Sequence, residues 1–178
     1  MVKKSLKKVG FVLGCIFLLS ILYAMYDHEM IKLKYGYTAP LMLDRDQFSE
    51  VPVRIDMGPR KIEEVHVSIT DLYYLPKSHQ IFFGLWYKKW QHRSNDFHNV
   101  FDVTLEDQDG RKYNYQSYAK MSGLLDRFQY RAVSYIDLSK IKKLYIIISI
   151  PEKNGDKVIV NNTKKIEVPI DGLGSLNP

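Results

Sequence analysis

The hydrophobic pattern of this chain changes its period once. From Val9 to Tyr26 the run VGFVLGCIFLLSILYAMY holds eighteen residues without a charge, and at about 1.5 Å per residue such a helix nearly covers a hydrocarbon core of about 30 Å. A transmembrane helix is expected there. Beyond residue 50 apolar side chains recur at every second position instead. Val65, Val67 and Ile69 alternate with His66, Ser68 and Thr70, and Phe101, Val103 and Leu105 alternate with Asp102, Thr104 and Glu106. That period marks strands with one buried and one wet face. Further strands are expected at 51–57, 81–90, 111–118, 128–136, 144–150, 158–160 and 166–170. Between the two regimes, residues 27–50 read as a connector interrupted by Gly36 and Pro40, extended over 30–35 and irregular over 41–48.

The turns between these strands are legible. Asp107-Gln108-Asp109-Gly110 is expected to reverse the chain with Gly110 at positive φ, and Asn154-Gly155, just after Pro151, is a short-loop signal. Helical pieces are expected only as single turns at 121–125 and 138–141. Many short strands without an intervening helix-period run predict an immunoglobulin-like antiparallel β-sandwich, in which two sheets bury their apolar faces against each other. The expected organisation is a basic stub at 1–8, the transmembrane helix at 9–26, the connector at 27–50 and the β-sandwich at 51–178.

Charge then fixes an orientation and removes one class of partner. Lys3, Lys4, Lys7 and Lys8 precede the apolar run, against Lys32 and Lys34 in the comparable stretch after it. Lysine bias therefore places the N-terminus in the cytoplasm and the domain outside, with Tyr23 and Tyr26 at the outer membrane interface. The chain as a whole carries +6, but all 20 acidic residues follow the run. Residues 27–178 thus hold 22 basic and 20 acidic side chains, a net of +2, so the outer domain is close to balanced and no nucleic-acid partner is expected. The single cysteine, Cys15, lies inside the apolar run, so the outer domain has no disulfide, cysteine nucleophile or thiolate metal site.

Processed forms of the N-terminus compete with the anchor. Export-signal cleavage after Ala24 meets bulky Leu22 where a small residue is preferred. Val12-Leu13-Gly14-Cys15 resembles a lipobox, yet eleven apolar-run residues follow the cysteine. Lys7-Lys8-Val9-Gly10-Phe11 resembles a prepilin junction, but Cys15 stands where pilins usually carry glutamate. Gly10 and Gly14 are spaced as G-x-x-x-G, which permits close helix pairing in a multi-component envelope assembly.

Phe101-x-Val103-x-Leu105-x-Asp107-x-x-Gly110-x-x-Tyr113, followed by Lys143-Leu144-x-Ile146-x-Ile148, resembles a pattern in immunoglobulin-like extracytoplasmic domains of Gram-positive bacteria. Those domains belong to membrane-anchored proteins of largely unknown function, including relatives of anti-sigma factors. The resemblance spans Val65 to Ile150 and implies a fold and a compartment. It implies no catalytic residue.

The most unusual stretch is Ile81–Trp90, IFFGLWYKKW, where both alternating faces are apolar or aromatic. If Ile81, Phe83, Leu85 and Tyr87 face the core, then Phe82, Trp86 and Trp90 form an aromatic outer face with a gap at Gly84. Such a platform suits glycan, peptide or protein partners, or the bilayer interface. The competing expectation is that the connector or a loop covers it. His92, Asp96, His98 and Asp102 offer imidazole and carboxylate ligands, but His98 and Asp102 lie about 13 Å apart along an extended chain, too far for one metal without a bend. Asp107, Asp109 and Gly110 lack the twelve-residue calcium pattern and read as a turn. Asn161-Asn162-Thr163 is a glycosylation sequon only in a eukaryotic secretory route. With no G-x-S-x-G, phosphate loop or H-E-x-x-H, the sequence predicts a non-catalytic membrane-anchored module without cofactor or metal, with a structural component of an envelope assembly as the first alternative and a secreted or surface enzyme built from scattered residues as the second. The module is expected to bind an envelope protein, peptide or cell-wall ligand.

Overall fold

A computed structural model describes residues 2–42, 50–58, 60–92, 100–114, 117–154 and 157–170. Helix α1, Val2–Tyr26, contains one stretch, Lys8–Tyr26, of 19 residues that is long and apolar enough to cross a membrane, and within it only Tyr23 is even partly covered by the rest of the chain. One residue later, α2 runs from His28 to Lys34. Strands follow at Val53–Ile55 (β1), Lys61–Ile62 (β2), Val67–Ile69 (β3), Leu72–Leu75 (β4), Gln80–Lys88 (β5), Asp102–Asp107 (β6), Lys112–Asn114 (β7), Ser117–Ser122 (β8), Asp126–Ser134 (β9), Leu144–Asn154 (β10) and Lys157–Val168 (β11).

β5 organises the larger, seven-stranded sheet. One edge pairs with β9 in unbroken antiparallel register from Gln80↔Ser134 to Lys88↔Asp126. The other edge is shared by β3 and β4, and between the pairs Ile69↔Leu85 and Tyr73↔Phe82 three residues face two. This is a β-bulge. Thr70 closes it from both sides: its N–H donates to the Gly84 carbonyl at 2.9 Å and its hydroxyl accepts from the Gly84 N–H at 2.8 Å. β1 and β2 extend β4 and β3, and β8 lies outside β9. The second sheet has the order β11-β10-β6-β7. All pairings are antiparallel, and the two sheets share one core in which Ile69, Phe83 and Leu85 meet Val103, Leu105, Ile146 and Ile148. The chain is mainly β, a two-sheet sandwich preceded by one apolar helix.

The structure corrects several expectations. Residues 30–35 are not extended: 28–34 form α2, and Ile31, Leu33 and Tyr35 alternate with lysines only by coincidence of period. The 111–118 strand is two, with β7 and β8 in different sheets. The helical turn at 121–125 is instead the end of β8 and a tight turn, whereas 138–140 is helical as expected. The separate strands at 158–160 and 166–170 are one continuous β11, paired to β10 from Asn154↔Lys157 to Leu144↔Val168. β4, Leu72–Leu75, was not expected at all, because all four residues are buried and show no alternation. The Asp107–Gly110 turn is as expected, with Gly110 at φ +77°. Gly155 lies outside the described residues.

Candidate functional site

The aromatic strand β5 has the two faces expected of it. Ile81, Phe83, Leu85 and Tyr87 enter the inter-sheet core. Phe82 and Trp86 point outward, but outward is not solvent. Phe82 is 1% exposed, packed with Tyr73, Leu75 and Ala132 beneath Ala39, Leu41 and Met42. Trp86 is half-buried beside Phe128, Met121 and Tyr130 under Met30 and Leu33 of α2. The gap at Gly84 is filled by the Phe128 ring. Of the expected platform only Trp90 is open, at 57% exposure. The connector is therefore a third layer of the fold, and the face read as a binding surface is where it docks.

A helix of seven residues is too short to persist by itself in water, so α2 must be held by what it touches. Its apolar contribution is Met30 and Leu33, each about 1.5–3 kcal/mol when fully buried. Its C-terminus closes in a Schellman motif around Gly36 at φ +73°: the Gly36 N–H donates to the Leu33 carbonyl at 3.2 Å and the Tyr37 N–H to the Lys32 carbonyl at 2.9 Å. The Lys34 carbonyl accepts from Arg60 Nη1 at 2.9 Å. Arg60 is itself held by Asp71, which lies in the bulge, is 1% exposed, and also pairs with Arg54 at 2.6 Å.

The same end of α2 is also fixed through charge. Lys34 is a buried lysine whose ammonium is paired with the carboxylate of Asp126, also fully buried, at the start of β9. Lys88 at the end of β5 reaches the same carboxylate at 2.9 Å. The Lys34 ammonium also stands 4.8 Å from the Trp86 ring centroid, a cation–π contact. Burying these charges is tolerable only because each has a partner. Tyr23, in the last turn of α1, joins the group: its hydroxyl donates to Asp126 Oδ2 at 3.5 Å and lies 3.4 Å from Lys34 Nζ. Asp27, the single residue between the helices, is 1% exposed and accepts from the Leu124 N–H at 2.7 Å. Gly123 is next to it because a Cβ there would lie 2.6 Å from Asp27 Oδ1. The apolar helix thus enters the sandwich without a linker, through Tyr23, Asp27 and Lys34.

Comparison with protein-family models, with curated proteins and with solved structures finds no match to this chain. Its site must be read from its own geometry.

The remaining candidates separate in space. Lys8 and Tyr26 are exposed along α1, and the side chains of Lys3, Lys4 and Lys7 lie outside the described part of the structure. Asp96 and His98 also lie outside the described residues. His92 is half-buried between Tyr87 and Phe101, with edge-on ring contacts at 5.3 and 4.8 Å. Burial pushes its pKa down, although the His66 carbonyl within 3.4 Å partly offsets this. Asp102 is exposed on β6, and no group of three potential ligands that could hold a metal occurs among the described residues. Asp107 accepts from the N–H groups of Asp109 and Arg111 and from the Tyr113 hydroxyl, at 3.0, 2.9 and 3.0 Å. Burial alone would raise its pKa, but these three donors outweigh burial and hold it below the ordinary carboxylate range. It closes the β6–β7 turn.

Asp27, Lys34, Asp71 and Asp126 were missed by sequence reading. Asp27 and Lys34 lie in a polar stretch and Asp71 and Asp126 among apolar residues, but in each case the partner that matters is distant in the chain and leaves no local trace. The outer face of the smaller sheet was not singled out either. It is the sheet face that α2 leaves uncovered, lined by Thr104, Glu106, Tyr145, Ile147 and Lys165, with Lys165 bonded to Glu106 at 2.7 Å and 4.1 Å from the Tyr145 ring centroid.

Proposed function

We propose that this chain is a membrane-anchored, non-catalytic interaction module whose β-sandwich stands outside the cytoplasm, directly on the membrane surface. The observation that carries the proposal is the union of anchor and domain. A removable leader has no need to be part of the fold, whereas the last turn of α1 contributes Tyr23 to the Asp126 group and leads straight into buried Asp27. Cleavage after Ala24 would cut through a continuous helix and detach Tyr23 from that group. The lysine bias around the apolar run supports an N-terminus inside and a domain outside, and the resemblance to immunoglobulin-like extracytoplasmic domains points the same way.

The recognition surface in this reading is the outer face of the smaller sheet, where Glu106, Tyr145, Ile147 and Lys165 combine charge, one aromatic ring and one aliphatic chain. Tethering raises the effective concentration of such a face near other membrane components, so modest intrinsic affinity suffices for binding an envelope protein or cell-wall ligand.

The test is mass and fractionation of the protein in its own host, with protease added to intact spheroplasts. A full-length membrane species whose domain is digested from outside is expected. A shortened soluble species, or a domain protected until lysis, overturns the proposal. A photo-crosslinking residue at Ile147 or Thr104 is expected to give an adduct of defined mass. Failure at both positions removes this face as the recognition surface.

A further inference from the structure

Beside the end of α1 the domain presents an apolar lip. Gly123, Leu124 and Leu125 connect β8 to β9, and Leu124 and Leu125 are 49% and 43% exposed. The Leu124 N–H is tied to Asp27 at 2.7 Å. The Leu125 carbonyl accepts from the Lys89 N–H at 3.0 Å, which brings in the end of β5 and the exposed ring of Trp90. The Lys88 ammonium lies 5.6 Å from that ring. A backbone bond between two segments far apart in sequence thus brings three exposed large apolar residues to the same end of the domain, beside the first residue after the apolar helix.

We infer that this lip is a second membrane contact, in which Leu124, Leu125 and Trp90 seat in the headgroup region of the phospholipid bilayer that α1 crosses. The inference rests on the reading of α1 as a retained span and adds a lipid-binding surface to the folded domain. Depth is the argument. Nineteen residues at about 1.5 Å each reach about 28 Å, close to the hydrocarbon thickness of about 30 Å. Tyr26 therefore stands at the edge of the hydrocarbon and Asp27 in the headgroups. Because Asp27 is bonded to Leu124, the β8–β9 turn stands at the same level, and no linker lifts it away.

The chemistry of the lip fits that zone. Tryptophan prefers the interface for its apolar body and polar N–H. The leucines remove apolar area from water, and Lys89, which joins Leu125 to Trp90, offers a cation to lipid phosphates. A helix alone leaves a domain free to turn about the helix axis. A helix plus a lip set beside it fixes the direction in which the smaller sheet faces.

The experiment uses the full chain in phosphatidylcholine vesicles containing a minority of phosphatidylglycerol. Of the 2 tryptophans, Trp86 is replaced by phenylalanine to leave Trp90 as the reporter. The buried Trp86 Nε1 has no acceptor among the described residues, so the change leaves no group unpaired. Lipid nitroxides are placed either at the headgroup or at the end of the acyl chain. The headgroup label is expected to quench most of the Trp90 emission and the chain-end label little. The L124D/L125D variant, still floating with the vesicles, is expected to regain that emission.

A chain that floats with the vesicles while Trp90 stays unquenched by either label overturns the lip and leaves the anchor standing. A chain that does not float overturns the anchor, and the lip with it. Trp90 shielded from lipid while copies of the chain crosslink to one another through the lip assigns the surface to a second copy and likewise overturns the inference.

Discussion

Gly84→Ala tests whether the third layer is as tightly fitted as its geometry implies. A Cβ at Gly84 would lie 2.1 Å from Phe128 Cζ, and 2.7 and 2.9 Å from Cε1 and Cε2. Ordinary carbon contacts are about 3.5–4.0 Å, so the ring must retreat by about 1.5 Å. It cannot simply rise, because Met30 and Leu33 lie over it and Phe128 is fully buried. Overpacking of this kind costs about 1–3 kcal/mol, while alanine recovers about 0.5–1 kcal/mol of the strand penalty of glycine. The net loss is about 1–2 kcal/mol, or about 2–8 °C in Tm for a domain of this size.

The assay is urea unfolding of the full chain in detergent, followed by tryptophan emission, since Trp86 beneath α2 reports undocking. Phe128→Leu supplies the internal control, because a smaller side chain leaves room for the new methyl. In the G84A background its cost is expected to shrink, giving a coupling of about 1 kcal/mol. G84A as stable as the parent, or a double variant additive within about 0.5 kcal/mol, would refute the claim that Phe128 occupies the space of the missing side chain.

Lys34→Ala is expected to cost about 3 kcal/mol, because it leaves a buried carboxylate with only its partly exposed partner. Lys88→Ala removes the more exposed cation and is expected to cost less than about 1 kcal/mol; chemical denaturation of the two variants checks the order. Trp86→Ala is expected to cost about 3 kcal/mol and Trp90→Ala less than about 0.5 kcal/mol, so equal Tm values would contradict the covered and open placements of the two rings. Burial holds His92 below its ordinary pKa, so the unfolded chain takes up its proton first as pH falls. Its contribution to stability is therefore complete above about pH 6.5 and declines below it, down to the folded value. His92→Phe keeps the ring contacts, and its Tm is expected to fall less than that of the parent between neutral and mildly acidic pH.

The strands of the sandwich core are legible because their faces differ. Val103 and Leu105 are buried while Thr104 and Glu106 are not, so alternation survives into the structure. β4 is not legible, since the bulge at Thr70 and Asp71 shifts its register and the connector covers its outer face; Tyr73 and Leu75 are then as buried as Leu72 and Tyr74. The same covering explains β5. A strand apolar on both faces indicates burial on both faces, and the sequence alone leaves open whether the cover is a ligand or another part of the chain. β7 and β8 read as one strand because only the pairing partners, β6 and β9, reveal that the chain changes sheets between them.

Why α2 is invisible in the pattern follows from what holds it. Hydropathy places Lys34 on a wet face, yet its side chain is 5% exposed. The carboxylate that makes this possible lies 92 residues away. Periodicity reports only the apolar share of a helix's contacts, and here that share is two side chains, too little to distinguish seven residues of helix from a strand. The rest of the holding free energy is electrostatic and tertiary: Lys34 with Asp126, Arg60 with Asp71 and the α2 carbonyl, and Asp27 with the Leu124 N–H. The interactions that join the apolar helix to the domain are thus the ones a linear pattern omits. A polar connector directly after an apolar helix is no evidence of a flexible stalk when its charges are matched by charges on the far side of the chain.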